Sequence, residues 1–184
     1  MLCCVSLLVK AGLAWALPGF FSGDDVEIHE MTLGALLQHH WPVWNLRSAF
    51  FPMTFIYPAQ NVAVALGASR PEVLVFIGRL SVALVSTVAV PLVWAASRRL
   101  CPRDIRIAVL AVLFFAVNKL YVSFGSSELP RPVATVFVLA AFVVLLRFGI
   151  ARTLTGGALL GIATAFRFSE AAYPSGSIHT FPRA

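Results

Sequence analysis

Four of the eight acidic residues in this 184-residue chain stand within seven positions, directly after its first apolar segment. They are Asp24, Asp25, Glu27 and Glu30. Carboxylates are costly in hydrocarbon, so a cluster beside an apolar segment needs a reason. A carboxylate pair at a membrane surface could act as the general base that removes a proton from a substrate hydroxyl group. Asp24 and Asp25 are therefore the candidate catalytic residues.

The same acidic residues could instead cap a helix or bind a metal ion. Ser22 and Asp25 have the spacing of a helix capping box, and carboxylates in a first helical turn are favoured by the helix dipole. Asp25 and His29 are one turn apart on such a helix and could bind a divalent cation with Glu30 or His39. This spacing matches no recognised metal signature, so we expect no metal site.

Arginines and aromatic residues on the same side of the chain could bind a substrate. Arg79, Arg131 and Arg167 stand in or near apolar segments, where they either extend to lipid headgroups or hold a lipid-linked phosphate. Arg131 is the better phosphate candidate, because it stands in a turn beside Glu128. Tryptophans and tyrosines near the acidic cluster suit an aromatic belt at the membrane interface or stacking on a sugar ring. They are Trp41, Trp44 and Tyr57.

The composition is that of an integral membrane protein. Hydrophobic residues make up 59% of the chain, charged residues 12%, and the mean hydropathy is +0.87; soluble domains are about one quarter charged. The net charge is +6, but the basic residues lie singly between apolar runs and form no patch for nucleic acid. Cys3, Cys4 and Cys101 form neither a disulfide framework nor a metal-binding spacing.

Apolar segments of about 20 residues predict membrane spans. We predict an all-α, polytopic transmembrane helix bundle that forms a single domain over residues 1–184. Pro91 should kink the second span, and Gly157 and Gly161 have a spacing suited to close helix packing. The predicted spans are 2–21, 73–97, 107–124, 132–150 and a partial fifth at 154–168, with a loop over 22–71 that carries juxtamembrane helices, one of them at 54–68.

Arginine placement predicts the orientation of these spans. Four arginines share the loop 98–106, and Arg147 and Arg152 flank the next loop on the same side. By the positive-inside rule, these loops are cytoplasmic, so the acidic loop 22–71 and the short loop 125–131 face outward. The polar ending after residue 170 is unlike a further span. It suggests the N-terminal portion of a longer membrane protein, inactive by itself if part of its donor site is missing.

The order of these motifs resembles a known family. Asp24-Asp25 at the start of an outward loop, the later Glu30, Trp44, Arg47-Ser48 with Pro52, and a span that begins with Gly78-Arg79-Leu80-Ser81 follow one another. Glu128-Leu129-Pro130-Arg131-Pro132 and Phe166-Arg167-Phe168-Ser169 follow later. Together they resemble the GT-C-fold, lipid-phosphate-sugar-dependent glycosyltransferases, especially the family 22 mannosyltransferases of N-glycan and GPI-anchor assembly.

The resemblance implies a chemistry and a set of substrates. A hexose would pass with inversion from a polyprenyl-phosphate sugar to a hydroxyl of a glycan or lipid-linked acceptor, at the outer or luminal membrane face. Asp24 would be the general base and Asp25 would orient the acceptor, or the two would exchange roles. Glu30, Trp44, Arg79 and Arg131 would bind substrates. The family is thought to work without a metal, so no cofactor is expected beyond the lipid-linked sugar itself.

A transporter or channel fragment is the alternative from a different functional class. Its acidic vestibule would gather cations, although the predicted spans contain almost no polar residue apart from Asn118. The chain could also be an inert remnant of a longer reading frame. The expected partners are the lipid-linked donor, the acceptor and membrane lipids, with no nucleic acid. A short, Arg-rich chain favours the bacterial inner membrane over the endoplasmic reticulum membrane.

Overall fold

The computed structural model describes residues 2–16, 23–39, 50–147 and 149–167, and within these ranges all regular structure is helical. The predicted all-α fold class is thereby confirmed for this part of the chain. In chain order the elements are α1 (Leu2–Ala16), α2 (Gly23–Leu37), a π-helical turn (Pro52–Ile56), α3 (Tyr57–Ala65), α4 (Pro71–Thr87), α5 (Ala89–Leu100), α6 (Ile105–Ala116), α7 (Lys119–Phe124), α8 (Pro130–Leu145) and α9 (Ile150–Arg167).

α4 and α5 form the one helical stretch in the described residues that is long and apolar enough to cross a membrane. It runs over Pro71–Leu100, 30 residues, and contains the predicted span 73–97. The two helices are interrupted at Val88. Pro91 explains the interruption, because it has no N–H to donate to the Thr87 carbonyl and its ring clashes with that carbonyl.

The other apolar helices are shorter than a full crossing. They are Leu2–Ala16, Ile105–Ala116, Pro130–Leu145 and Ile150–Phe166, so the five-span bundle stays a prediction. The predicted span 107–124 is divided into α6 and α7. Asn118 is the N-cap of α7, and its side-chain oxygen accepts a hydrogen bond from the Tyr121 backbone N–H at 3.2 Å. Large apolar side chains of α6 are exposed, among them Phe114 at 73%.

The helices pack around a core that joins the π-helical turn to α4, α8 and α9. Its buried members include Ile56, Val82 and Val133. The Phe166 ring lies at the end of α9, and its centroid is 5.3–5.9 Å from four other phenylalanine rings. These aromatic contacts hold the C-terminal end of α9 against the π-helical turn and α8.

The close packing that we predicted for Gly157 and Gly161 is wrong. A Cβ atom at either position would have no neighbour within 4 Å. The tight glycine contact in α9 is at Gly156, where a Cβ atom would lie 2.6 Å from Leu145 Cγ. The close contact of α9 with Leu145 is therefore made by a glycine outside the predicted pair.

Candidate active site

Three ionisable side chains from separate elements come together inside the bundle. Arg79 lies in α4 and is 1% exposed, and Glu128 lies two residues before α8 and is fully buried. His29 lies in α2, and its Nδ1 is 3.8 Å from Glu128 Oε2. Burying charged groups is costly unless they have partners, and each of these three has interactions in the structure. We call Arg79, Glu128 and His29 the buried charged cluster.

Gly78 makes room for the Glu128 carboxylate. A Cβ atom at Gly78 would overlap Glu128 Oε1, and it would lie 3.1 Å from Ile56 Cγ2 and 3.2 Å from Gln60 Nε2. Gln60 is also fully buried, and its Nε2 donates a hydrogen bond to the Leu74 carbonyl at 3.0 Å. Glycine inside a helix costs about 1 kcal/mol relative to alanine. The close approach of the carboxylate explains why glycine stands here.

A buried turn over residues 125–129 carries Glu128 to this position. Each of its residues is buried. The hydroxyl groups of Ser126 and Ser127 donate hydrogen bonds of 2.7–3.0 Å to carbonyl oxygens of α7, so they satisfy groups that a helix end leaves open. From the sequence this segment was expected to be an outward-facing loop. The structure buries residues 125–129 within the protein, where the hydrogen bonds of the two serines offset the cost of burying them. The side of the membrane that the segment faces stays a prediction.

The surroundings of His29 favour a neutral imidazole. Burial lowers the pKa of His29 from 6.5 to about 4, and the positive charge of Arg79 adds to this effect. The Glu128 carboxylate acts in the opposite direction at 3.8 Å. Burial and Arg79 dominate, because the His29 side chain is only 13% exposed. A neutral imidazole can both donate and accept a hydrogen bond at physiological pH.

A cavity of about 340 Å³ opens beside the buried charged cluster. His29 and Arg79 form part of its wall, and Glu72 adds a carboxylate. The remaining wall is apolar and includes Trp15 and Phe76, whose rings meet edge to face at 5.2 Å. Pockets with mostly apolar walls and a few convergent polar groups are typical ligand sites. This cavity, between α1, α2 and α4, is the candidate site for a ligand with an anionic group and an apolar part.

The structure separates the residues that the sequence suggested for substrate binding. Arg79 lies on the wall of the cavity, but Arg131 is exposed and lines two other pockets. Glu30 is exposed on α2, whereas Ile28 and Met31 of the same helix are buried. Among Arg79, Arg131 and Glu30, only Arg79 belongs to the buried charged cluster.

Several predicted residues fall outside the described part of the chain. Trp44 is one of them. The side chains of Asp24 and Asp25 are also outside it, although the backbone of α2 includes both positions and begins at Gly23. The predicted helix over the acidic residues is therefore present, and Asp25 precedes His29 by one helical turn. The Arg167 side chain is likewise not described, although its backbone ends α9.

The metal-binding alternative gains no support from the described residues. Within them, no group of three or more His, Cys, Asp or Glu side chains could hold a metal ion. Glu30 and His39, the suggested additional ligands of Asp25 and His29, are both exposed.

A second polar cluster surrounds Lys10, which is fully buried in α1. Lys10 Nζ donates a hydrogen bond to Ser86 Oγ at 2.8 Å and lies 3.6 Å from the centroid of the Tyr121 ring. The Tyr121 hydroxyl in turn donates to the Ser86 carbonyl at 3.0 Å. At Gly125 a Cβ atom would lie 2.9 Å from Lys10 Nζ. Lys10 thus ties α1 to α4, α7 and the buried turn.

The sequence did not indicate that Glu128 is a buried group. Lys10, inside the first apolar segment, had either to extend to the membrane surface or to face a protein interior, and the structure shows the second. Glu128 was considered only as a neighbour of Arg131 in an outward turn, and His29 as a possible metal ligand. One local signal was available, because three small residues, Gly125, Ser126 and Ser127, precede Glu128 and suit a tightly packed turn.

Comparison with known protein families identifies a match. The family model of the Alg9-like mannosyltransferases matches residues 26–175 of the chain, which include the whole buried charged cluster. No curated protein and no solved structure matches the chain.

Proposed function

Since the chain belongs to the Alg9-like mannosyltransferase family, we propose that it transfers mannose from a polyprenyl-phosphate donor to an acceptor hydroxyl at the outer or luminal membrane face. The observation that supports this most directly is the cavity beside the buried charged cluster. Its apolar wall suits an isoprenoid chain, and Arg79 suits the phosphate that joins this chain to the sugar.

The base would come from the first turn of α2. His29 lies on the cavity wall, and Asp25 precedes it by about 6 Å along the helix axis, at 1.5 Å per residue. A sugar bound beside His29 would therefore be close to the turn that contains Asp24 and Asp25. Either aspartate could accept the acceptor proton, and the other would orient the acceptor.

The proposed reaction is a single displacement. The acceptor oxygen attacks the anomeric carbon of mannose from the face opposite the phosphate, and a C–O bond forms as the bond to the phosphate oxygen breaks. The acceptor proton moves to the aspartate, and the polyprenyl phosphate leaves with the electron pair. This displacement inverts the anomeric configuration. Arg79 stabilises the charge that develops on the leaving phosphate.

The test is transfer of labelled mannose in membranes that contain the chain. The donor is polyprenyl-phosphate mannose, and a sugar nucleotide replaces it in a parallel reaction. General base catalysis contributes about 10²–10⁴-fold to rate, so we expect Asp24→Asn or Asp25→Asn to lower transfer by about that factor. The variant that causes the larger loss identifies the base.

Asp104→Asn is the matched control, because it makes the same chemical change in the loop before α6. The Asp104 side chain caps α6 by accepting from the Arg106 backbone N–H at 2.9 Å, and asparagine can make the same bond. Its transfer rate should be unchanged. Unaltered transfer in both Asp24→Asn and Asp25→Asn would refute the assignment of the base, and transfer from the sugar nucleotide alone would refute the donor.

A further inference from the structure

Arg131 stands where two surface grooves meet, away from the proposed active site. One groove of about 220 Å³ lies between α8 and α9 and reaches Val138 and Leu160. The other, of about 240 Å³, lies between α7 and α8 and reaches Leu120 and Phe124. Arg131 lines both. We call them the α8–α9 groove and the α7–α8 groove.

The two grooves share their polar end. Besides Arg131, they share Thr135, which lies one turn further along α8. Val138 extends the α8–α9 groove to about 10 Å from Arg131 along the helix axis, at 1.5 Å per residue. The arrangement is a fork, with one cation at its base and an apolar channel on either side of α8.

The polar groups within the grooves need no ligand. The Thr135 hydroxyl donates to the Arg131 carbonyl at 2.9 Å, and the Thr164 hydroxyl donates to the Leu160 carbonyl at the same distance. Threonines bonded in this way present mainly their methyl groups. The channels are therefore suited to hydrocarbon rather than to a sugar.

The Arg131 guanidinium, in contrast, is available to an anion. It is exposed, and its Cζ lies 5.7 Å from the centroid of the Phe124 ring. Within the described part of the chain, no carboxylate lies at ion-pair distance from it. Arg131 belongs to the first turn of an apolar helix, the place where arginines meet lipid headgroups. Guanidinium also has the geometry to bind a phosphate through two hydrogen bonds.

We propose that Arg131 and the two grooves bind one anionic, two-chain phospholipid. The phosphate would contact the Arg131 guanidinium, and one acyl chain would lie in each groove. A single-chain lipid such as polyprenyl phosphate would fill only one of the channels. The second channel favours the two-chain lipid, so Arg131 serves a lipid site distinct from the proposed donor site at Arg79.

The test measures lipid retention by native mass spectrometry of the detergent-purified chain. The probe is dioleoyl phosphatidylglycerol. Its comparators are dioleoyl phosphatidylcholine, which has the same chains without net charge, single-chain lysophosphatidylglycerol, and polyprenyl phosphate. One basic residue at a membrane surface supplies roughly fivefold in binding to an anionic lipid. We expect at least that preference for phosphatidylglycerol over phosphatidylcholine, and a clear preference over both single-chain lipids.

Surface variants separate the contributions of the charge and the grooves. Arg131→Gln should abolish the preference for phosphatidylglycerol over phosphatidylcholine, and Arg131→Lys should keep part of this preference. Thr164→Trp and Leu120→Trp should each block one groove. In either variant, the retention of phosphatidylglycerol should fall to the retention of lysophosphatidylglycerol. Leu154→Trp, at an exposed position of α9 outside both grooves, is the matched control and should change nothing.

Three results would overturn the proposal. They are equal retention of the one-chain and two-chain glycerol lipids, stronger retention of polyprenyl phosphate, and an unchanged lipid preference in Arg131→Gln. None of these measurements requires sugar transfer, so the lipid site can fail while the proposed mannosyl transfer stands, or the reverse.

Discussion

Replacing Gly78 by alanine tests the buried charged cluster most directly. The added methyl group would occupy the space of Glu128 Oε1 and would also lie within 3.2 Å of Ile56 Cγ2 and Gln60 Nε2. All three neighbouring side chains are fully buried. A small shift of α4 away from one of them therefore moves the methyl group toward another. We expect the substitution to be strongly destabilising, although alanine is the better helix former.

The expected magnitude follows from three opposing effects. Extra volume in a packed core costs about 1–3 kcal/mol. Displacing a buried charged group from its partners costs about 3–5 kcal/mol. Replacing glycine by alanine inside a helix stabilises the helix by about 1 kcal/mol. Since partial displacement of Glu128 relieves part of the crowding, the first two costs do not add fully. The free energy of unfolding should fall by about 2–4 kcal/mol.

The assay is reversible unfolding in mixed micelles at increasing denaturing detergent, followed by tryptophan fluorescence. Gly157→Ala is the matched control, because a Cβ atom there has no neighbour within 4 Å. It should leave stability unchanged or raise it by up to about 1 kcal/mol. Equal stability of Gly78→Ala and Gly157→Ala would refute the placement of Glu128 against Gly78.

Two further predictions concern the neighbouring buried groups. In Gly125→Ala the added methyl group would lie 2.7 Å from Lys10 Cε, so we expect a lower melting temperature. Lys10→Ala should reduce the additional cost of this methyl group, and additive effects in a double-mutant cycle would contradict the contact. For His29, the unfolded chain takes up a proton near pH 6.5 and the folded chain only near pH 4, so stability should fall by about 3 kcal/mol between these values as pH decreases. His29→Gln should remove this part of the pH dependence of unfolding, and an unchanged slope would exclude His29 as its cause.

Local features of the sequence predicted much of the helical structure. The acidic residues after Ser22 indicated a helix, and α2 contains them. The apolar run 73–97 indicated the one helical stretch, within the described ranges, that passes the length and composition test for a span. Pro91 indicated the interruption inside it. Each of these signals acts within a few residues, through capping, hydropathy or a missing N–H group.

The break at Asn118 was missed because two local signals competed. The apolar run 107–124 suggested a continuous span, whereas asparagine is a good N-cap residue. In the structure Asn118 acts as an N-cap, because its side chain accepts a hydrogen bond from the Tyr121 N–H. An apolar stretch therefore does not by itself indicate an unbroken helix when a capping residue lies within it.

The candidate site depended on contacts that no local pattern carries. Lys10 and Ser86 are 76 positions apart, and Glu128 meets His29 and Gly78 from another part of the chain. Each residue alone has an ordinary role, as a surface acid, a metal ligand or a helix glycine. Their common role in the buried polar clusters is visible only when the fold places them together.

The buried turn over 125–129 connects the two polar clusters physically. Its first residue, Gly125, packs against Lys10, and Glu128 near its other end packs against Gly78. A Cβ atom at Gly125 would also lie 2.7 Å from the Tyr121 carbonyl oxygen, and a Cβ atom at Gly78 would overlap Glu128 Oε1, so a larger residue has no space at either position. Burying the charges of Lys10 and Glu128 costs several kcal/mol each. Apolar residues at these positions could pack α1 against α4 without that cost. Buried ionisable groups beside a cavity are common at functional sites. We therefore infer that this cost is retained because the turn fixes Glu128 opposite His29, and with it the polar wall of the cavity.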